Sequence, residues 1–79
     1  MNKLFITTDF ILLHQALKLK GIISTGGEAK IFLEENDVFV NEEKENRRGR
    51  KLYDGDKVRI NKYEFVITHE NKWVKSHKL

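Results

Sequence analysis

The run from Gly21 to Asn41, GIISTGGEAKIFLEENDVFVN, leaves few architectures open. It holds the end of one helix, a turn, a second helix and a strand, with almost no linker between them. Gly21 is the expected stop of the first helix, because glycine enters the left-handed backbone region without a Cβ penalty. Ser24-Thr25-Gly26-Gly27 then opens the second helix, expected over about Gly26 to Glu35. Thr25 and Glu28 have the T-x-x-E spacing of a capping box, in which each side chain satisfies an orphan backbone N–H of the first turn. Two glycines in that turn allow another backbone or an anion to approach closely. The start of a helix also offers free N–H groups and a positive dipole end, which favour an anion. Lys30, one turn further on, adds a full charge. Local spacing alone describes no more than a well-capped helix, since a short motif is a hypothesis until its surroundings support it.

Those surroundings are read on both sides. Lys3 to Thr8 is a β-prone run suited to a sheet edge. Asp9 offers an N-cap to a helix over residues 11–20, ILLHQALKLK. There Leu12, Ala16 and Leu19 share a face with Leu13 and Leu17, while His14 and Lys18 point away. Lys20 falls in the apolar arc and is expected to snorkel. Ile22 and Ile23 fill the corner between the helices, Ala29, Phe32 and Leu33 form the inward stripe of the second, and Asn36 is its expected left-handed stop. Val38 to Val40 alternates as a strand and Asn41 to Lys44 turns. Glu45 to Lys51 is a polar segment. Asp54-Gly55-Asp56 is a strong turn signal before strands at Val58 to Ile60 and Tyr63 to Ile67. The expected fold is α+β: a helix pair packed on a short, mainly antiparallel sheet. One domain spans residues 1–68, and residues 69–79 form a basic tail whose Trp73 is placed to fold back on the body. Phe5, Phe32, Phe39 and Phe65 are assigned to the core, leaving Tyr53 and Trp73 as candidate stacking residues.

The totals exclude several classes. A chain of 79 residues is one domain, and a domain so small buries only about 60% of its unfolded surface. It has no cysteine to form a disulfide or a thiolate metal site. His14, His69 and His77 are too scattered for a zinc site, so neither metal nor cofactor is expected. No run approaches the ~18 apolar residues of a membrane span, and no signal peptide is read, so the expected location is the cytoplasm. No nucleophile–base pair and no phosphate loop of the Gly-Lys-Ser/Thr type is present, which argues against an enzyme. The net charge is only +3, but it is segregated. From Glu28 to Glu45 seven acids face Lys30 and Lys44, and from Arg47 to Lys62 seven bases face Asp54 and Asp56. A segregated basic patch on a small domain fits an extended polyanion, most often nucleic acid.

Taken in order, Gly21, Ser24-Thr25, Glu28-Ala29-Lys30, Val38-Phe39-Val40-Asn41 and Asp54-Gly55-Asp56 resemble the S-four RNA-binding domain, or αL motif. The match covers about residues 10–60. STGGEAK with NRRGRKLYDGD looks closer still to small stand-alone members called YaaA-type proteins. The resemblance implies a binder of structured RNA, ribosomal RNA above all, with a part in large-subunit assembly; with no strong oligomerisation signal and no catalytic motif, the chain is expected to be a non-catalytic monomer. The alternative is a rescue factor on obstructed large subunits, or a protein-docking factor using the acidic stretch from Glu34 to Glu45. Carried over, Ser24, Thr25, Gly26, Gly27 and Lys30 form one wall of the site, with Arg47, Arg48, Arg50 and Lys51 as the other. Lys18 and Lys20 are additional contacts. The chain departs from the family pattern at Leu12 and Gly26, where bases are usual, at Glu42, where glycine follows the asparagine, and at Asp54, where proline precedes Gly-Asp. The four bases from Arg47 to Lys51 are expected to supply the lost charge.

Overall fold

The computed structural model describes residues 2–70. Strand β1 (Asn2–Ile6) leads to a two-residue strand β2 (Ile11–Leu12) and directly into helix α1 (Leu13–Leu19). A 3₁₀ turn (Gly26–Glu28) runs into α2 (Ala29–Glu35). Strands β3 (Val38–Val40), β4 (Glu43–Lys44), β5 (Lys51–Leu52), β6 (Lys57–Ile60) and β7 (Tyr63–His69) follow. One sheet has the order β1-β7-β6-β3-β4, and β2 and β5 form a separate ribbon. All pairs are antiparallel except β1 with β7, where Leu4 lies opposite Ile67. The expected α+β class and the edge position of the first strand hold.

Period-two patterning sets the sheet's inner face. Val38 and Val40, Val58 and Ile60, and Phe65 and Ile67 are buried, while their neighbours in sequence are more exposed. Leu13, Ala16 and Leu17 from α1 and Ala29 and Leu33 from α2 complete a single core. Ile11 and Leu52, paired across the ribbon, close it at one end.

Helix α1 starts later than its periodicity predicts. The first two residues of the expected helix, Ile11 and Leu12, are taken by the ribbon, and the N-cap is Leu12 rather than Asp9. Gln15 Oε1 accepts the Leu12 N–H at 3.0 Å. The Leu13 and His14 N–H groups donate to the carbonyls of Arg50 (2.8 Å) and Arg48 (3.0 Å). Leu19 is 65% exposed, not inward, because the shortened helix turns Leu13, Ala16 and Leu17 to the core. The helix ends as expected. Gly21 adopts φ +74°, its N–H bonds the Lys18 carbonyl, and the Ile22 N–H bonds that of Leu17, the paired geometry of a Schellman stop. The end of α2 differs. Asn36 is extended, not left-handed, and its side chain and backbone N–H both donate to the Phe32 carbonyl. Phe5, expected in the core, is 54% exposed on the edge strand.

Two turns are joined by a clasp. Asn41 (φ 52°) and Glu42 (φ 69°) form the two-residue turn of the β3–β4 hairpin. Asn41 Nδ2 donates to Asp56 Oδ1 at 3.0 Å, and Asn41 Oδ1 accepts the Lys57 N–H at 3.0 Å. Asp56 Oδ2 in turn accepts the Tyr53 N–H at 2.8 Å. The asparagine and Gly-Asp signatures are therefore structural here. Glu42 stands in a backbone conformation that favours glycine, but its carboxylate pairs with Arg59 (3.1 Å) and Lys57 (3.2 Å) on β6. The Arg59 hydrogen bond, followed by that of Lys57, holds its pKa below the usual carboxylate value. Strand β7 extends to His69, one residue past the expected domain end. Trp73 and the rest of the expected tail, residues 71–79, lie outside the described residues.

Candidate nucleic-acid interface

The basic segment is built around a buried acid. Glu45 is 5% exposed, at the base of the loop leaving β4. Its Oε2 accepts from Arg47 Nε at 2.9 Å and from the Arg47 backbone N–H at 3.0 Å. Its Oε1 accepts from Arg47 NH2 at 3.0 Å and Arg50 NH1 at 2.7 Å. A buried carboxylate is tolerated only when paired and hydrogen-bonded in this way. The Arg47 side-chain bond is the largest cause that draws its pKa from 4.5 to about 2; burial opposes this, and Arg50 and the Arg47 backbone N–H reinforce it.

Glu45 divides the four bases. Arg47 and Arg50 spend hydrogen bonds inward, shaping the loop so that the Arg48 and Arg50 carbonyls meet the start of α1. Arg48 is exposed, and its guanidinium has no ion-pair or hydrogen-bond partner among the described residues. Lys51 is exposed as well, with Nζ 4.9 Å from the centre of the Phe10 ring.

The glycine turn lies beside this loop, and His14 connects them. Its backbone N–H is on the Arg48 carbonyl, and its imidazole packs against Gly26, where a Cβ would come within 3.4 Å of Nδ1. Lys18 is one helical turn beyond His14, and Lys30 one turn beyond Gly26; both are exposed. The carboxylate half of the capping box forms: Glu28 Oε1 accepts the Thr25 N–H at 3.1 Å and the Ser24 N–H at 3.2 Å, while the Glu28 N–H donates to the Thr25 carbonyl at 3.2 Å. A carboxylate of the chain's own thus occupies donors that sequence reasoning offered to an external anion. Thr25 Oγ1 is also directed at Glu28, at 3.4 Å. What the turn offers is a close backbone approach at Gly27, exposed and with no steric barrier, rather than a set of free donors. Lys20 is apart from this group. At the far end of α1, its Nζ donates to the Lys3 carbonyl at 3.2 Å and lies over the Phe65 ring.

Arg48, Lys18 and Lys30 are therefore exposed cations on the segments that meet at His14 and Gly26, while Lys51 lies at Phe10 and Arg47 stays exposed although paired with Glu45. From the sequence His14 reads as a helix-surface residue and Glu45 as the start of a polar segment. The one available signal for Glu45 was an acid next to a run of bases. Among the described residues no group of three or more histidines or acids is arranged to hold a metal ion. No helix among them is long and apolar enough to cross a membrane.

Comparison with known proteins gives two findings. Residues 4–68 match the family model of the S4 domain. The chain is also 56% identical over 59 residues to the probable ribosome maturation protein RlbA of Bacillus subtilis (strain 168), covering 75% of this chain and 83% of that protein. No solved structure matches.

Proposed function

The chain belongs to the S4 domain family, and on that premise we propose that it is a non-catalytic RNA-binding protein of the ribosome maturation apparatus. Its ligand is structured ribosomal RNA of the large subunit, gripped by backbone and shape, and its place of action is the cytoplasm. The observation that carries this reading is the division of charge around Glu45. Arg47 and Arg50 pair with Glu45 and shape the loop, Arg47 while still exposed, and Arg48 and Lys51 project from it without a carboxylate partner among the described residues, with Lys18 and Lys30 exposed on the two helices. Unpaired cations around an open backbone suit phosphates, and arginine adds a planar fork for two parallel hydrogen bonds. The relative's name, a ribosome maturation protein, supports the ribosomal assignment.

Binding to structured RNA over a salt series tests the reading. With about four to six phosphates contacted, the log–log slope is about −3 to −5. Arg48→Ala weakens RNAs of unrelated sequence by a common factor and flattens the slope by about 1. A slope near zero, or unchanged binding by the variant, counts against the site. Sedimentation of the tagged protein in lysate tests the partner. Salt-sensitive co-migration with large subunits or their precursors is expected, and residence at the top of the gradient under all conditions sinks the ribosomal assignment.

A further inference from the structure

The β2–β5 ribbon has an outer face that the phosphate grip does not use. Ile11 and Leu52 pair and point into the core. Leu12 pairs with Lys51, so the same register sets Phe10 across from Tyr53 on the outer face. The rings of Phe10 and Tyr53 meet at 5.9 Å, inclined by 51°. Phe10 is half-buried and props the pair, whereas Tyr53 is 48% exposed. Tyr53 is also fixed at its backbone: its N–H is on Asp56 Oδ2 and its carbonyl accepts the Asp56 N–H at 2.9 Å. Lys51 lies over Phe10, next in the chain to Arg50 of the basic loop. On the other side Phe10 lines a shallow cleft of about 370 Å³ with Lys18, Gln15 and Leu19.

An exposed aromatic face offers a flat surface to stack on, and the charges around this pair narrow what can occupy it. Cations flank the ring that backs Tyr53 on two sides, Lys51 over Phe10 and Lys18 across the Phe10 cleft. A flat, π-faced group carried on a polyanion satisfies both features at once. We infer that Tyr53, backed by Phe10, is a stacking platform for an unpaired nucleobase whose flanking phosphates reach Lys51 and Lys18. The platform rests on the RNA-binding reading above and deepens it: the ligand is a helix interrupted by a bulge or ending in a single-stranded extension. Stacking tolerates any base, because every base has a π-face. The site therefore reads the presence of an unpaired nucleotide and not its identity.

Two RNAs of equal charge density test this: a blunt 20-base-pair duplex, and the same duplex with a three-nucleotide bulge carrying 2-aminopurine. The wild-type protein is expected to prefer the bulged RNA by about 10-fold, in line with stacking of one base, and to quench the 2-aminopurine. Tyr53→Ala is expected to lose the preference and the quenching while still binding the blunt duplex. Tyr53→Phe, which keeps the ring and drops the hydroxyl, is expected to retain both. Thermal melting of each variant establishes that it is folded. Equal affinity of the wild-type protein for the two RNAs overturns the platform and leaves the phosphate grip standing. Quenching that survives Tyr53→Ala also overturns it, because the base is then held elsewhere. Failure of the wild-type protein to bind either RNA overturns both readings. A bulge preference lost in Tyr53→Phe overturns stacking in favour of a hydroxyl contact.

Discussion

At the scale of single residues, Glu45 decides what the basic segment is. Without it, Arg47, Arg48, Arg50 and Lys51 are four equivalent cations; with it, Arg47 and Arg50 are tied to the loop, Arg47 while still exposed, and Arg48 and Lys51 have no carboxylate partner among the described residues. The sequence displays the four bases plainly, but this division depends on a carboxylate whose burial is visible only once β4 and α1 are in place. Glu45→Gln keeps the shape and removes the charge. It is expected to lower stability by about 1–2 kcal/mol, the low end for hydrogen bonds to a charged group, because Arg47 is mostly exposed and screened. The pH dependence has a definite sign. The folded-state pKa is depressed from 4.5 to about 2, so the carboxylate's stabilisation is fully present above about pH 4.5 and is lost as pH falls through about 2. Urea titrations of both proteins should differ by a constant amount from pH 7 to pH 5 and converge below that. A gap unchanged down to pH 2 would show that Glu45 acts through packing alone.

At the scale of elements, what was legible is what carries its own local signal. The capping box at Thr25 and Glu28, the Gly21 stop and the alternating strands at Val38, Val58 and Phe65 each announce themselves by spacing or turn chemistry. The β2–β5 ribbon does not. Two residues have no period, and their partner lies about forty positions away, so Ile11 and Leu12 read as the start of a helix. Asp9 reads as a cap for the same reason. In fact the caps of α1 are carbonyls from the basic loop, which no local window contains. The helix stop gives a clean contrast between two glycines. A Cβ at Gly21 meets nothing within 4 Å, yet its φ of +74° penalises any L side chain. Gly21→Ala is expected to cost about 1 kcal/mol from backbone conformation alone. Gly49 is equally open, but its φ is outside the left-handed region. Gly49→Ala is expected to be neutral or slightly stabilising, through reduced freedom of the unfolded chain. Chemical denaturation of the pair checks this, and equal losses at both positions would mean that the Gly49 loop needs freedom the folded structure does not display.

At the scale of the whole molecule, the first strand pairs in parallel with the last described one, so the sheet closes only when both ends of the domain arrive. Sequence patterning gave each strand its inner face but could not give the neighbour of β1, because period-two alternation is the same for parallel and antiparallel partners. Phe65 sits where that closure meets the helices. Among the described residues it is the largest fully buried side chain, on the strand between β1 and β6, and Lys20, at the end of α1, reaches over its ring. A domain of 79 residues has about 4–12 kcal/mol of stability in total. Removing a buried phenylalanine side chain costs about 3–5 kcal/mol, the transfer term plus the cavity. Phe65→Ala therefore consumes most of the lower estimate and is expected to leave a broad transition or no folded baseline at 25 °C. Phe65→Leu, which fills much of the same volume, should retain a single cooperative melt at reduced temperature. Circular dichroism melts of the two variants beside the wild-type protein decide the matter. If Phe65→Ala instead melts sharply with only a small shift, the ends of the sheet do not share one cooperative unit with the helix pair. The basic loop, anchored on α1, would then be stable without β1–β7 closure.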